Sequence, residues 1–337
     1  MPQPTRGDVH VNAPLSNISV AYIQDARNFI ASRMFPNIPV QKQSDRYYIY
    51  DRGDFNRDEM RVRAPGTESA GSGYDLDNTP TYYCPVFAFH KDIDDQVRSN
   101  EDSVLSSDRD ATIFVTQKAL IRRERDFAAS AMQSGIWTFG KTGVNSDVNA
   151  STEFLIWNDA NSDPITDIRT AIRTVLEATG FEPNKLTLGK AVYDALVDHP
   201  DIIDRVKYGQ TPGAPAEVNT STLAQLFDLQ EVLVSKAIYN SANKGASEVS
   251  QFISGNHALL AYVAPSPGIM VPSAGYSFSW SGFLGSSAYG SRIRRFRMEH
   301  LQSDRVEIDM SFDHKIVAPD VGYFFENAAD FNAVVSI

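Results

Sequence analysis

Between residues 163 and 209 the apolar positions fall into a helix, a strand and a further helix pair, each closed by a stop signal. Ile165, Ile168, Ile172, Val175 and Leu176 recur at the three-to-four-residue spacing of one helix face. Asp163 can accept N–H groups at the helix start, Pro164 suits a first turn where its missing N–H costs nothing, and Gly180 offers a left-handed stop. After Pro183, the run Lys185, Leu186, Thr187, Leu188 predicts a strand. Val192, Leu196 and Val197 then predict a helix that must stop before Pro200. No side chain here has the spacing of a catalytic or ligating motif, so the stretch reads as a building block.

Upstream, residues 1–44 are interrupted by prolines and contain one helical candidate, 19–34, with Val20, Ile23, Phe29 and Ile30 as its apolar positions. A helix this short cannot cover its own apolar face and must pack on the body of this subunit or of a neighbour. Residues 45–93 give two strand regions, 46–63 and 81–93, joined by a Gly/Ser-rich turn. Tyr47, Tyr48, Tyr50, Phe55, Tyr82, Tyr83, Phe87 and Phe89 are interleaved there with charges of both signs, too many for a buried sheet. A ribbon of about 15 residues per strand, at about 3.3 Å each, would be roughly 50 Å long, and a lone two-stranded ribbon is marginal in water. It is expected to rest on a neighbour.

The pattern over 108–134 predicts a helix of roughly 40 Å. Ser107 and Asp110 can form a capping box and Gly135 closes the end. Phe114, Ile121, Ala128 and Met132 form one apolar stripe, and Ile113, Leu120, Phe127 and Ala131 the adjacent one. Glu124 and Asp126 interleave Arg122, Arg123 and Arg125, which reads as a solvated or intersubunit ion-pairing face. Residues 136–160 read as strand and loop, and 209–219 as a surface loop. From Tyr276 onward, Ile293, Phe296 and Met298 alternate with arginines, and Val306, Ile308, Met310 and Phe312 occupy every second position. These are half-buried strands that would complete a sheet beside the long helix.

Composition narrows the function classes. A chain of 337 residues with 42% hydrophobic content is a globular protein with room for one large domain or several smaller ones. Thirty-one Lys plus Arg against 42 Asp plus Glu leave a net charge of -11, which disfavours binding by phosphate neutralisation. Cys84 is the single cysteine, so an internal disulfide and a paired-cysteine zinc site are excluded, and a reducing compartment is expected. The N-terminus lacks the order of a secretory signal. The apolar stretch 258–271 is broken by Pro265 and Pro267 and falls short of the about 20 residues that span a bilayer, so no membrane role is expected.

The one nucleotide-binding signal is the run Gly135 to Thr142, which satisfies GxxxxGKT. That motif needs a strand before it and a helix after it, and the predicted order is the reverse. The Arg-Gly-Asp triplets at 6–8 and 52–54 are short enough to be chance. Arg292, Arg294, Arg295 and Arg297 are expected to pair with Glu299, Asp304, Glu307 and Asp309 on a neighbouring strand. His10, His90, His199, His257, His300 and His314 show no metal-binding spacing. Asp92, Asp94 and Asp95 read as a solvated turn, with a bound cation as the alternative. No catalytic residue, cofactor or metal is expected.

The order of elements resembles that of tailed-bacteriophage major capsid proteins. The resemblance is carried by PNKLTLG (183–189), VYDALVDHPDIIDRVKYG (192–209), VLVSKAIYN (232–240) and VAPDVGYFFENA (317–328), with the arm, hairpin and long helix upstream, and it covers essentially the whole chain. It implies an α+β fold of the Hong Kong 97 type. The parts would be an N-terminal arm at 1–44, an extended hairpin loop at 45–93, a peripheral domain at 94–162 with spine helix 108–134, an inserted axial domain at 163–272, and the second part of the peripheral domain at 273–337.

The implied function is structural: self-assembly as hexamers and pentamers into the icosahedral head shell of a tailed, double-stranded DNA phage. The shell would enclose DNA without sequence-specific binding. A separate scaffolding protein, a portal and a cement protein are the implied partners, and the chain would reside in the virion after assembly in the host cytoplasm. Arg52, Arg57, Arg61, Arg63, Tyr82 and Tyr83 are the expected hairpin interface, and Gly209, Gln210, Pro212 and Gly213 the expected loop at the capsomer axis. No lysine lies between Lys42 and Lys91, so a lysine cross-link from the hairpin is not expected. An encapsulin-type bacterial compartment shares the implied fold and is the alternative. A phosphate-loop nucleotide-binding protein is a third reading.

Overall fold

A computed structural model describes residues 23–101, 105–209, 218–268, 270–285 and 291–330. A 3-10 turn (Ala26–Asn28) and a one-turn helix α1 (Ala31–Met34) lead into β1 (Asn37–Val40). The hairpin comprises β2 (Ser44–Arg46), β3 (Ile49–Tyr50), a short helix α2 (Arg52–Phe55), β4 (Leu76–Asp77) and β5 (Thr81–Tyr83). Strand β6 (Val86–Asp94) and α3 (Asp95–Ser99) precede the long helix α4 (Ser107–Ala131). There follow β7 (Phe139–Val144), β8 (Glu153–Leu155), α5 (Pro164–Thr179), β9 (Lys185–Gly189), α6 (Lys190–Asp198), α7 (Pro200–Gly209) and α8 (Thr220–Phe227). Next come β10 (Glu231–Ser235), β11 (Ile238–Asn240), β12 (Ser250–Phe252) and β13 (Ala258–Ala261). The chain closes with β14 (Gly275–Trp280), α9 (Ser281–Leu284), β15 (Ser291–Met298), β16 (Ser303–Ile316) and β17 (Gly322–Glu326).

Two sheets organise these elements. The first runs β1-β14-β16-β15, with β6 also paired to β16. Because side chains alternate across a strand, Val306, Ile308, Met310 and Phe312 all face one side, where Ala111, Val115 and Ala119 of α4 cover them. The second sheet runs β10-β9-β13-β17-β7-β8 and is covered on both faces. On one face Leu186, Leu188, Leu260, Tyr323 and Phe325 pack against the apolar stripes of α5 to α8. On the other, Leu233, Leu259, Ala261 and Phe324 pack against α1 and the end of α4, through Ile30, Phe35, Phe127 and Ala131. Double coverage explains why all four residues of β13 are apolar and buried.

The punctuation at 163–209 forms as the sequence predicts. Asp163 accepts the Thr166 N–H at 3.0 Å, and Gly180 ends α5 with φ 76°. Elsewhere the structure corrects the sequence. The helix expected at 19–34 is, over its described part, the 3-10 turn and α1, because Asp25 caps the turn and a side chain of α4 starts α1 afresh. The 50 Å ribbon does not form: only β2–β5 and β3–β4 pair, and β6 pairs over its whole length with β16. The capping box of α4 is replaced by Glu101, which accepts from the Ser107 N–H at 2.6 Å and its hydroxyl at 2.8 Å. Of the predicted stripes only Phe127, Ala131 and Met132 are fully buried, while Phe114 is 44% exposed.

The second sheet also crosses the boundaries expected at 162/163 and 272/273. Strands β7, β8 and β17 lie outside 163–272 yet complete the sheet that β9, β10 and β13 begin, since β13 needs a partner on its second edge. Its close packing yields a test at Gly143, where an added Cβ would lie 2.2 Å from the Asn327 carbonyl oxygen. Gly143→Ala is expected to cost about 2 kcal/mol of stability, read as a lower midpoint in urea or thermal melts. An unchanged midpoint would contradict the packing.

Candidate intersubunit surface

The hairpin is fixed at its root. Tyr82 stacks on Phe278 with centroids 4.6 Å apart and planes 12° from parallel, and Tyr47 lies at 5.6 Å from the same ring. The Tyr83 N–H donates to Asp313 at 2.9 Å and the Ser311 hydroxyl donates to the Cys84 carbonyl at 3.1 Å. Cys84 is fully buried, and burial pushes its thiol up to about 12, which leaves no thiolate for nucleophilic chemistry. Tyr82, expected at a subunit interface, is thus a core residue of its own chain, 6% exposed, because its ring faces Phe278. Tyr83, on the opposite strand face, is 58% exposed.

Farther out, Tyr50, Phe55 and Tyr74 form an aromatic trio with centroids 5.7 to 6.0 Å apart. Asp51 caps α2 by accepting the Gly53 N–H, which places the second Arg-Gly-Asp triplet inside a helical turn. Two of the four predicted arginines already have acidic partners in the same chain: Arg52 pairs with Asp320, and Arg57 with Asp54 and Glu59. Arg63 donates to the Thr67 carbonyl. Arg61 makes no ion pair or hydrogen bond with the described residues, and its neighbours Met60 and Val62 are 94% and 103% exposed. Gly209 is the last residue of α7. Gln210, Pro212 and Gly213, like the first Arg-Gly-Asp triplet at 6–8, lie outside the described residues.

The remaining charged and nucleotide-like motifs are absorbed by the fold. Arg292 and Arg294 of β15 pair with Asp309, Arg294 also with Glu307, and Arg295 and Arg297 with Asp304, on the adjacent β16. Hydrogen bonds from Arg295 and Arg98 hold the Asp304 carboxyl down at about 2. Asp92 is not part of a solvated turn: it is buried and accepts two hydrogen bonds from Arg305, at 2.7 and 2.9 Å. Asp94 caps α3 and Asp95 pairs with Arg297. Residues 139–142 of the GxxxxGKT run lie in β7, bonded to β17, with Lys141 Nζ donating to the Ala150 carbonyl at 2.7 Å. A helix precedes this run and a strand carries its Gly-Lys-Thr, so the N–H cradle of a phosphate loop does not form.

Sequence reasoning missed two buried groups. Glu124, placed on a solvated face from its charge, is fully buried and accepts the Ile30 N–H at 3.0 Å and the Ala31 N–H at 3.0 Å. Burial pushes its carboxyl up, against the opposing pull of those N–H groups and of Arg123, itself only 8% exposed. The spacing gave the signal, since Glu124 falls on the same three-to-four series as Phe127 and Ala131. His314 is ringed by Phe35, Phe127 and Phe312 at 5.0 to 6.2 Å, and its Nδ1 lies 2.7 Å from the Ser277 hydroxyl. Burial, then the nearby Arg123 charge, pushes its imidazole down to about 4.

The arrangement is a body with a secured core and an uncovered polar hairpin, which suits assembly better than catalysis. Comparison with known proteins agrees. Residues 145–265 match the family described as phage major capsid protein E. The major capsid protein of Pseudomonas phage JBD67 is 26% identical over 94% of this chain and 97% of its own length, and that of Burkholderia phage BcepMu 25% identical over 93% and 95%. Over nearly its whole length the chain is similar to these two phage major capsid proteins. Among solved structures, a phage-related protein from Bordetella bronchiseptica is similar with a TM-score of 0.67 at 19% identity, covering 90% of this chain and 93% of that one. The capsid of cyanophage P-SCSP1u gives 0.62 at 12% identity, covering 95% and 93%. An encapsulin from Synechococcus elongatus is more distant, at 0.56 and 11%, covering 96% and 95%.

The likeness to these solved structures gives the chain an α+β fold of the Hong Kong 97 type. No helix among the described residues is long and apolar enough to cross a membrane. A pH dependence follows from His314. Its folded value of about 4 lies below the ordinary histidine value of 6.5, so between these the unfolded chain binds the extra proton. Stability is expected to fall by about 3 kcal/mol as pH drops through that window. Glu124, pushed up, contributes the opposite slope at acid pH, so the readout is the difference from His314→Gln in urea titrations. Parallel pH profiles for the two proteins would contradict this assignment.

Proposed function

We propose that the chain assembles as hexamers and pentamers into the icosahedral head shell of a tailed, double-stranded DNA bacteriophage. The observation that carries this reading is the hairpin: its root is built into the subunit, while its outer segment leaves Met60 and Val62 uncovered and Arg61 without a partner among the described residues. Apolar side chains left in water on an extended segment are stabilised when a neighbour covers them. A net charge of -11 favours enclosing DNA over binding its phosphates.

In this reading residues up to 44 act as the arm, and 45–85 as the hairpin loop. The first sheet with α4 is the peripheral domain. The second sheet, with β7, β8 and β17 added to 163–264, is the axial domain, and Gly209, Gln210, Pro212 and Gly213 lie toward the capsomer axis. Arg61, Arg63 and Tyr83 meet a neighbouring subunit. Scaffolding, portal and cement proteins are separate partners, and assembly takes place in the host cytoplasm before the chain resides in the virion. The likeness to an encapsulin favours, as a second reading, a shell that encloses protein cargo; purified native particles containing a packaged enzyme and no DNA would support it.

Light scattering with negative-stain microscopy tests the proposal. Particles of shell dimensions, or species five or six times the mass of the 37.3 kDa chain, are expected. A chain that stays monomeric at high concentration, with and without a co-produced scaffolding protein, would contradict it. Within the same assay, Arg61→Glu with Arg63→Glu is expected to reduce assembly while leaving the melting temperature of the subunit unchanged. Unaltered assembly would remove these arginines from the interface.

A further inference from the structure

The second sheet has an open edge shaped for one more strand. Among the described residues strand β10 pairs with β9 on one side only, and a cleft of about 580 Å³ lies along its other side. The Glu231 N–H points to the Asn184 carbonyl at 3.3 Å, which fixes the phase of the ladder. In a parallel pair alternate residues bond inward, so Glu231, Leu233 and Ser235 face β9 while the N–H and C=O groups of Val232 and Val234 face the cleft. Neither has a backbone partner on that side among the described residues. One wall is α8, presenting Ala224 beside Val232, and the other is the arm, presenting Asp25, Arg27 and Arg33. The described part of the chain's own arm does not fill the gap. Gln24 brackets the backbone of Ile238, just beyond β10, with bonds of 2.7 and 2.9 Å, and the following residues turn away as the 3-10 helix.

The hairpin carries the complementary element. Residues 58–64 (DEMRVRA) alternate Met60, Val62 and Ala64 with Glu59, Arg61 and Arg63, the period of a half-buried strand, yet they belong to no strand in the subunit. Their apolar members are almost wholly in water. We propose that residues 58–64 of one copy add as a strand to the β10 edge of a second copy, resting on the shell reading given above. Met60 and Val62 then turn toward Ala224 and Val232, and the charged face of the segment meets the arm wall, whose mixed charges match its own. Backbone bonds give the contact its strength and the alternation fixes its register.

The test is made on assembled particles. In the variant carrying Val62→Cys and Lys236→Cys, oxidation after assembly is expected to give covalent oligomers at multiples of 37.3 kDa on a denaturing gel, since buried Cys84 does not compete. Val234→Pro removes only an outward N–H, so the subunit is expected to fold, while the concentration needed for half-assembly rises about tenfold, the worth of one backbone hydrogen bond. Val234→Ala serves as the control and is expected to assemble as the wild type does. Particles that form without the cross-link, a cross-link confined to single chains, or normal assembly of Val234→Pro would overturn the strand addition and leave the shell reading standing. A wild-type chain that gives neither particles nor five- or six-fold species, with and without a co-produced scaffolding protein, would overturn both.

Discussion

Helix α4 has to serve two sheets at once, and the buried Glu124 carboxylate is what makes this possible. The first half of the helix covers the apolar face of the first sheet through Ala111, Val115 and Ala119. Its second half helps close the second sheet, but there Phe127 and Ala131 alone cannot cover Leu233, Leu259 and Phe324. Residues 29–35 of the arm supply the missing surface, and Glu124 seats them by accepting the Ile30 and Ala31 N–H groups. A buried carboxylate is costly to desolvate, and that cost is offset only while both donors stay in place. Residues 29–40 of the arm are therefore built into the subunit, ending at Val40 where β1 joins β14.

The first sheet solves a different problem. Its helix-facing side carries Val306, Ile308, Met310 and Phe312, while Arg292, Arg294 and Arg297 of β15 stand opposite Asp309, Glu307 and Asp304 of β16, and Arg295, opposite Val306, reaches Asp304 and Asp108 of α4. Exposed pairs of this kind contribute little stability singly. Their effect is on register, since a slip of one residue would set Arg292 and Arg294 against apolar positions of β16. A sheet held in register this way, with the hairpin root stacked on Phe278, gives the hairpin a fixed point of departure from the subunit.

Much of this was legible in the sequence where local rules and tertiary packing agree. Asp163, Pro164 and Gly180 marked α5, alternation marked β16, and the order of elements carried the fold. The failures share a cause. The 19–34 helix was divided by a carboxylate 94 residues away in the chain, and the ribbon lost its second strand to β16, both long-range effects that no local window contains. Charge misled at Glu124 and Asp92, where the residue type pointed to solvent and a specific partner overrode it. At the candidate interface, Arg52, Arg57 and Tyr82 were chosen by residue type alone. Which of the arginines is already paired depends on Asp320, Asp54 and Glu59, and the sequence gives no means of pairing them.

The subunit thus has closed cores and a hairpin whose apolar residues remain in water, a combination that makes sense for a protein completed by its own copies. A cryo-electron microscopy reconstruction of the particles formed by this chain tests that claim most directly. Five- and six-fold rings of subunits are expected, in which residues 56–75 are covered by a neighbouring copy. Rings in which that segment lies in solvent or folds back on its own subunit would contradict it.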